Sequence, residues 1–132
     1  MENKDYTVEI LEIIRSNTSP GIMRSRLEDY HANDLAEVFP QLKISERRKI
    51  CRILDLDMLS DIFEHIDEQA AAEYLDEMDV RKAAAILSRM ETDAVVDVLR
   101  MIPKEKRALL LELMDDEARK DMAVIAAFDD EE

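Results

Sequence analysis

The chain has 132 residues, with one glycine and three prolines, and its formal net charge at pH 7 is −14. The length suits one domain with a modest core, and the scarcity of turn residues argues against a hairpin-rich β protein and predicts an all-α fold. The acidic balance disfavours binding to DNA, RNA or anionic lipid and suits a cationic partner or divalent metal ions, although acidity also serves solubility alone.

The first predicted element is a helix over residues 3–16, which ends at the breaking segment SNTSPG of residues 16–21. Its apolar residues allow two different inward faces. One face would consist of Val8, Leu11 and Ile14, and the other of Ile10, Ile13 and Ile14. A second helix is predicted near 22–30.

From Asn33 to Asp115 an apolar residue recurs every twelve positions, and the residues three and four positions before it are also apolar or nearly so. This spacing marks one face of an α-helix, so each unit should hold one short helix. The recurring residues are Leu42, Leu54, Ile66, Met78, Met90, Ile102 and Met114. The helices are predicted near 33–41, 45–54, 57–66, 68–78, 80–90, 92–102 and 104–114. The core is predicted to contain Phe39, Ile50, Phe63, Leu75, Leu87, Leu99 and Leu111.

The residue after each recurring position is most often Asp, as at Asp55, Asp67 and Asp79, and Asp is a good N-cap. A helix of about ten residues is marginal alone, so the units must stack, as in a solenoid. A single long coiled coil is disfavoured because heptads would drift out of phase with a twelve-residue repeat. We therefore predict a right-handed superhelix of about nine or ten short helices.

Two features interrupt the pattern. The position seven before each recurring residue is apolar in five units, but it is Arg47 in one and Arg107 in another. The unit at 43–54 is also basic, with Lys43, Arg47, Arg48, Lys49 and Arg52. It is too short and isolated for a nucleic-acid patch, so we interpret it as a solvated face or as an intramolecular partner for acidic residues.

Catalytic motifs are not found, and we predict no enzymatic activity. The chain lacks a glycine-rich phosphate loop and supported Ser-His-Asp or Cys-His arrangements. His31 and His65 stand alone, without partners at zinc-ligand spacing. Cys51 lies on the core register, so it should pack as a small hydrophobic residue, and as the only cysteine it cannot form an internal disulfide. No apolar run is long enough to span a membrane.

Two aspartates on one predicted helix are the clearest candidates for a binding role. Asp93 and Asp97 should point away from the core face centred on Val95 and lie one helical turn apart. Asp61, three repeats before Asp97, shares the outward register, as do Glu37, Glu73 and Asp121. Carboxylates of this kind can hold Mg²⁺ together with retained water. The alternative is an ordinary solvated acidic face.

Three motifs carry a resemblance: HANDLAEVF at residues 31–39, AAEYL at 71–75 and TDAVVDVL at 92–99. Together they resemble the cytosolic N-terminal domain of MgtE-type magnesium transporters. The first is similar to the L-H-P-A-D-L-A-E-x-L opening of that domain, with Ala32 and Asn33 in place of its Pro-Ala. In the family, an aromatic residue followed by acids leads into CBS domains and a membrane pore, and the chain ends with FDDEE at 128–132. We therefore expect a domain of a larger protein.

The resemblance implies a cytosolic Mg²⁺-sensing domain that helps to gate the pore of its parent transporter. By position it assigns magnesium binding to Asp61, Asp93 and Asp97, with weak Mg²⁺ binding in isolation. It implies CBS domains of the parent chain as partners, a homodimeric parent, and a location at the cytoplasmic face of the cell membrane. The fragment itself is expected to be soluble, without a membrane span or nucleic-acid partner.

The predicted organisation is an N-terminal helix and linker at 1–21, the helical-repeat domain at 22–128, with a last helix near 116–127, and an acidic tail at 129–132 that leads to a CBS region. The alternative function is that of an interaction module, either similar to the flagellar motor switch protein FliG or a generic helical-repeat adaptor. The EHPQ-type motif and the glycine hinge of FliG are absent from the sequence.

Overall fold

A computed structural model describes residues 5–119 of the chain. This part contains ten α-helices and no strand, which confirms the all-α prediction. The helices are α1 (Thr7–Arg15), α2 (Pro20–Leu27), α3 (Ala32–Val38), α4 (Ile44–Ile53), α5 (Leu56–Glu64), α6 (Glu68–Asp76), α7 (Val80–Arg89), α8 (Thr92–Arg100), α9 (Lys104–Leu113) and α10 (Asp116–Arg119). The predicted remainder of the last helix, with Met122, Ala123 and Ala126 on its register, and the acidic tail lie outside the described residues.

One predicted helix is divided in two. Residues 33–41 were expected to form a single helix, but α3 ends at Val38 and a 3₁₀ turn follows over Phe39–Gln41. The reason is Pro40, which has no backbone N–H to donate to the carbonyl four residues earlier.

The helices pack most closely with the next helix but one. The fold divides into two compact units between Ile66 and Asp67. In the first unit, α1 packs against α2, α3 and α4, α2 against α4, and α3 against α5. In the second unit, α6 packs against α7 and α8, and α7 against α9. This pairing explains how helices of seven to ten residues, marginal by themselves, obtain a shared core.

The predicted register of the repeat is confirmed. Of the 21 positions formed by the recurring residues and their neighbours three and four before, all but four are buried. The four half-buried ones are Ile66, Tyr74, Met78 and Leu111. Leu111 was predicted in the core, but Leu110 takes the buried place on α9, with 1% of its surface exposed. On α1 the buried residues are Ile10 and Ile14, whereas Val8 is 65% exposed, so the second of the two inward faces is the correct one.

The two arginines that interrupt the repeat have the same structural role. Arg107 donates from Nε to the Leu99 carbonyl at 3.0 Å and from Nη2 to the Ile102 carbonyl at 3.1 Å. Arg47 donates from Nη1 to the carbonyls of Leu42, at 2.6 Å, and Phe39, at 3.5 Å. In both cases the acceptors lie five and eight residues earlier, in the last turn or just after it. The nearer carbonyls, of Leu42 and Ile102, follow the last helical turn and have no helical donor, whereas the farther ones, of Phe39 and Leu99, also accept the N–H groups of Leu42 and Ile102. Both guanidinium groups therefore bind helix ends.

Aspartate caps start the helices as predicted. The Asp55 carboxylate accepts from the Met58 N–H at 2.9 Å, and the Asp67 carboxylate accepts from the Ala70 N–H at 3.3 Å. The Asp79 carboxylate accepts from the backbone N–H groups of Arg81 and Lys82 at 3.1 and 3.3 Å. These bonds satisfy donors that the first turn of a helix leaves free.

We expect Asp79→Ala to lower the free energy of unfolding by about 1 kcal/mol, the usual cost of losing an N-cap side chain. Chemical denaturation of the purified chain measures this cost. Glu73→Ala is the matched control, because Glu73 is an exposed acid in the interior of α6 and its loss should change stability by less than about 0.5 kcal/mol. Equal losses in the two variants would contradict a capping role for Asp79.

The basic helix α4 is held against α1. Glu46 accepts from the Arg15 Nε at 2.9 Å and from the Lys43 backbone N–H at 2.8 Å. The Arg15 guanidinium, and then the Lys43 N–H, lower the pKa of the Glu46 carboxyl below its usual value. Lys49 Nζ donates to the Ile14 carbonyl at 3.2 Å. Lys49 and Arg47 thus bond backbone carbonyls, a kind of partner that the sequence interpretation, a solvated face or a partner for acidic residues, did not include.

No helix within residues 5–119 is long and apolar enough to be a membrane-spanning segment.

Candidate metal-binding surface

Helix α8 presents Asp93 and Asp97 on its exposed side. The helix forms because Val95, Val98 and Leu99 recur at helical spacing, and all three are buried, with at most 2% of their surface exposed. Counted at 100° per residue, both aspartates lie about 160° from Val95. Both are exposed in the structure, as predicted from the sequence.

The two carboxylates form a pair one turn apart. Their Cβ atoms are about 5–6 Å apart at this helical spacing, and like charges so placed repel by a few tenths of a kcal/mol. Asp93 lies in the first turn of α8, where the helix dipole favours a negative charge. No cationic side chain of the described residues forms an ion pair with Asp93 or Asp97. A bound cation would therefore meet two carboxylates that no cationic side chain of the described part of the chain neutralises.

Asp61 lies on a different helix, in the first unit. It is exposed on α5 and lines an open groove of about 260 Å³ together with Glu28, Tyr30 and Met58. The Asp61 backbone carbonyl lies 2.8 Å from His65 Nδ1, at the end of α5. The structure thus brings Asp93 and Asp97 together on one helix and places Asp61 in the other unit.

Glu28 is an acid beside the predicted site residue Asp61 that the sequence analysis did not identify. It follows α2 and shares the groove with Asp61. Its carboxylate also lies 3.5 Å from Arg24 Nε, in an exposed ion pair. The groove brings Glu28, at the end of α2, close to Asp61 on α5, although the two residues are far apart in the sequence. The twelve-residue periodicity does not predict such contacts between distant segments.

The described residues contain no group of three or more His, Cys, Asp or Glu side chains placed to hold a metal ion. His31 precedes α3 and His65 follows α5, and both are exposed. Mg²⁺ takes six oxygen ligands in a near-octahedral shell and keeps several waters. Asp93 and Asp97 can supply part of such a shell, and the remaining oxygens would come from water or from another surface.

Comparison with known proteins bears on the family and the fold of the chain. The sequence profile of the MgtE intracellular N domain matches residues 30–131. A crystal structure of the soluble part of a magnesium transporter is similar to the chain, with a TM-score of 0.81 and 27% sequence identity, over 95% of this chain and 49% of that chain. A search of curated protein sequences gives no match.

A second crystal structure, of the cytosolic domain of the Mg²⁺ channel MgtE in complex with ATP, has a TM-score of 0.73 and 24% identity, over 86% of this chain and 46% of that chain. At this identity the likeness concerns the fold alone. The chain spans about half the length of the two solved chains. The resemblance seen in the sequence motifs is confirmed by the profile match, and the chain belongs to the family of MgtE intracellular N domains.

Proposed function

We propose that this chain is a non-catalytic Mg²⁺-sensing domain that regulates a magnesium transporter from the cytoplasmic face of the membrane. The observation that carries the proposal is the exposed pair Asp93 and Asp97 on α8, which forms no ion pair within residues 5–119, in a member of this family. In the parent protein the domain helps to close the pore when Mg²⁺ is plentiful. Asp61 contributes to the same sensing from the first unit.

The proposed mechanism is a change from repulsion to bridging. The acidic surface of this domain faces acidic residues of the CBS domains of its parent chain, within a homodimeric transporter. Two unit charges 4 Å apart interact by about 1 kcal/mol in water and about 4 kcal/mol at an effective dielectric constant of 20. Several such pairs keep the domains apart at low Mg²⁺. An Mg²⁺ ion between them reverses the sign of the interaction and favours the compact state.

Two consequences follow for the ion. Mg²⁺ shifts the equilibrium only as far as it binds the compact state more tightly than the open one. The isolated domain supplies only part of each ligand shell, so it binds Mg²⁺ weakly. Tight binding requires the opposing surface, so the whole protein should respond at a lower Mg²⁺ concentration than this domain alone.

The test is the double variant Asp93→Asn and Asp97→Asn in the full-length parent protein. Asparagine keeps the size of each side chain but removes the charge that attracts Mg²⁺. We expect the Mg²⁺ concentration that protects the domain junction from proteolysis to rise at least about tenfold, equivalent to about 1.4 kcal/mol. Limited proteolysis over a series of Mg²⁺ concentrations measures the midpoint.

The matched control is Glu105→Gln with Glu112→Gln, which removes the same net charge from two exposed positions of α9. Its midpoint should stay within about twofold of wild type, because neither glutamate belongs to the Asp93 and Asp97 pair on α8 and physiological salt screens exposed charges over about 8 Å. A double aspartate variant that responds to Mg²⁺ like the wild type would place the sensing acids elsewhere. If the parent protein shows no Mg²⁺-dependent protection from proteolysis, the sensing role is wrong and the alternative, a protein-interaction role, remains.

A further inference from the structure

A basic groove lies between α2 and α4 in the first unit. It has a volume of about 440 Å³ and is open to solvent on one side. Pro20, Gly21 and Ile53 form its apolar part, and Arg24, Lys49 and Arg52 bring three cationic side chains to it. None of the described residues that line it is acidic. In a chain of net charge −14, this is a local concentration of positive charge.

The three cations are only weakly neutralised by the protein. Arg24 pairs with Glu28 at 3.5 Å, but both side chains are largely exposed, at 53% and 42%, and such surface pairs contribute little. Lys49 donates to the neutral Ile14 carbonyl at 3.2 Å, in the last turn of α1, which positions the ammonium group without giving it a carboxylate partner. Arg52 is exposed in the last turn of α4, without an acidic partner among the described residues.

Gly21, the only glycine of the chain, lines this groove, and the fold itself does not require it. The backbone angle φ at Gly21 is not positive, and a Cβ added there would meet nothing within 4 Å. Glycine is less favourable than alanine inside a helix. A position without a side chain does permit a ligand to approach the backbone closely.

We propose that this groove binds a phosphate group, carried either by a small organic phosphate or by a phospholipid headgroup. The planar guanidinium groups of Arg24 and Arg52 can each donate two parallel hydrogen bonds to phosphate oxygens, and the Lys49 ammonium adds a point charge. The volume lies within the usual range of small-ligand sites. The groove is built from α2 and α4, so this role is additional to the Mg²⁺ response of Asp93 and Asp97.

The first experiment is a titration of the ¹⁵N-labelled chain with inorganic pyrophosphate at physiological salt and without divalent ions. We expect saturable shifts of the Gly21 amide and of residues on α2 and α4. Arg52→Gln should weaken binding about tenfold, as expected for the loss of one charge-assisted contact. Arg26→Gln is the matched control, because Arg26 is exposed on α2 but does not line the groove, and it should change affinity less than twofold.

Gly21→Ala provides a variant that the fold tolerates, since the added methyl group has free space. We expect its thermal midpoint to equal or exceed that of wild type while its affinity for pyrophosphate falls several-fold. An unchanged affinity would overturn the placement of the ligand against Gly21.

Co-sedimentation with vesicles distinguishes the source of the phosphate. Binding to phosphatidylcholine vesicles that contain phosphatidic acid, lost in Arg52→Gln and kept in Arg26→Gln, would identify a lipid headgroup. Binding of pyrophosphate with no such vesicle binding would identify a soluble phosphate. Binding to neither probe, or equal losses in Arg52→Gln and Arg26→Gln, would overturn the proposal.

Discussion

Replacing Leu87 with alanine is expected to lower the free energy of unfolding by about 2–5 kcal/mol. Leu87 has no exposed surface, and it lies on α7, which packs against both α6 and α9. Removing its isobutyl group therefore costs the transfer free energy of that group and leaves a cavity that the surrounding helices close only in part. Leucine and alanine have similar helix propensities, so the loss reports packing. Urea denaturation of the purified chain, followed by circular dichroism, measures it.

Leu109→Ala is the matched control for this experiment. Leu109 lies on α9 and is 43% exposed, although α9 belongs to the same repeat pattern. Its replacement should cost well under about 1.5 kcal/mol, because much of the side chain is already in water. A cost near zero for Leu87→Ala, or similar costs for the two variants, would mean that the register of the repeat differs from that in the structure.

The position of Leu87 in the core was predictable because burial follows from local periodicity. A residue three before each recurring apolar position faces inward as long as every helix restarts in phase, and aspartate caps such as Asp79 ensure that restart. The pairs of helices that pack together were harder to predict from the sequence. Packing with the next helix but one depends on the path of the chain between helices, and apolar spacing carries no information about that path. Leu111, at the equivalent position of its repeat, is only half-buried, and apolar spacing alone did not show this.

For the candidate site, the exposure of the two aspartates was predictable from the sequence pattern, but their function was not. Exposure of Asp93 and Asp97 follows from the same periodicity that buries Val95. Their proposed role in Mg²⁺ sensing comes from the family resemblance, because an exposed acid pair is common on protein surfaces. The oxygens that would complete an Mg²⁺ shell are proposed to come from another domain, so they could not be identified from this sequence alone. The neighbourhood of Asp61 with Glu28 depends on tertiary contacts and was not predictable either.

Arg47 and Arg107 are exceptions to the periodic pattern, and the exceptions themselves pointed to a structural role. Both arginines occupy positions that are apolar in the other five repeats. A long cationic side chain can keep a core position if its guanidinium reaches acceptors that need donors. The sequence showed the exceptions but could not show the acceptors, because these are main-chain carbonyls at the end of the preceding helix.

Arg107→Ala should consequently be among the most destabilising single changes outside the apolar core, with an expected loss of about 1.5–3 kcal/mol in the free energy of unfolding. Arg107 is only 7% exposed, and its guanidinium binds the carbonyls of Leu99 and Ile102. Without the guanidinium group, the Ile102 carbonyl loses a hydrogen bond that water replaces poorly at this buried position. The aliphatic part of the arginine side chain also leaves a space unfilled. Arg107→Lys should recover only part of the loss, because one ammonium group cannot reproduce the fixed geometry of the guanidinium fork.

The homologous change Arg47→Ala should cost less than Arg107→Ala. Arg47 is half-buried, so water can replace more of its hydrogen bonds to the carbonyls of Leu42 and Phe39. Arg100→Ala, at an exposed position of α8, should stay within about 0.5 kcal/mol of wild type. The four variants are compared in one series of urea denaturation curves. The order Arg107, Arg47, Arg100 in decreasing cost is the expected result, because the cost of an unsatisfied carbonyl rises with its burial. Equal costs at all three positions would show that helix-end binding by arginine does not stabilise this fold.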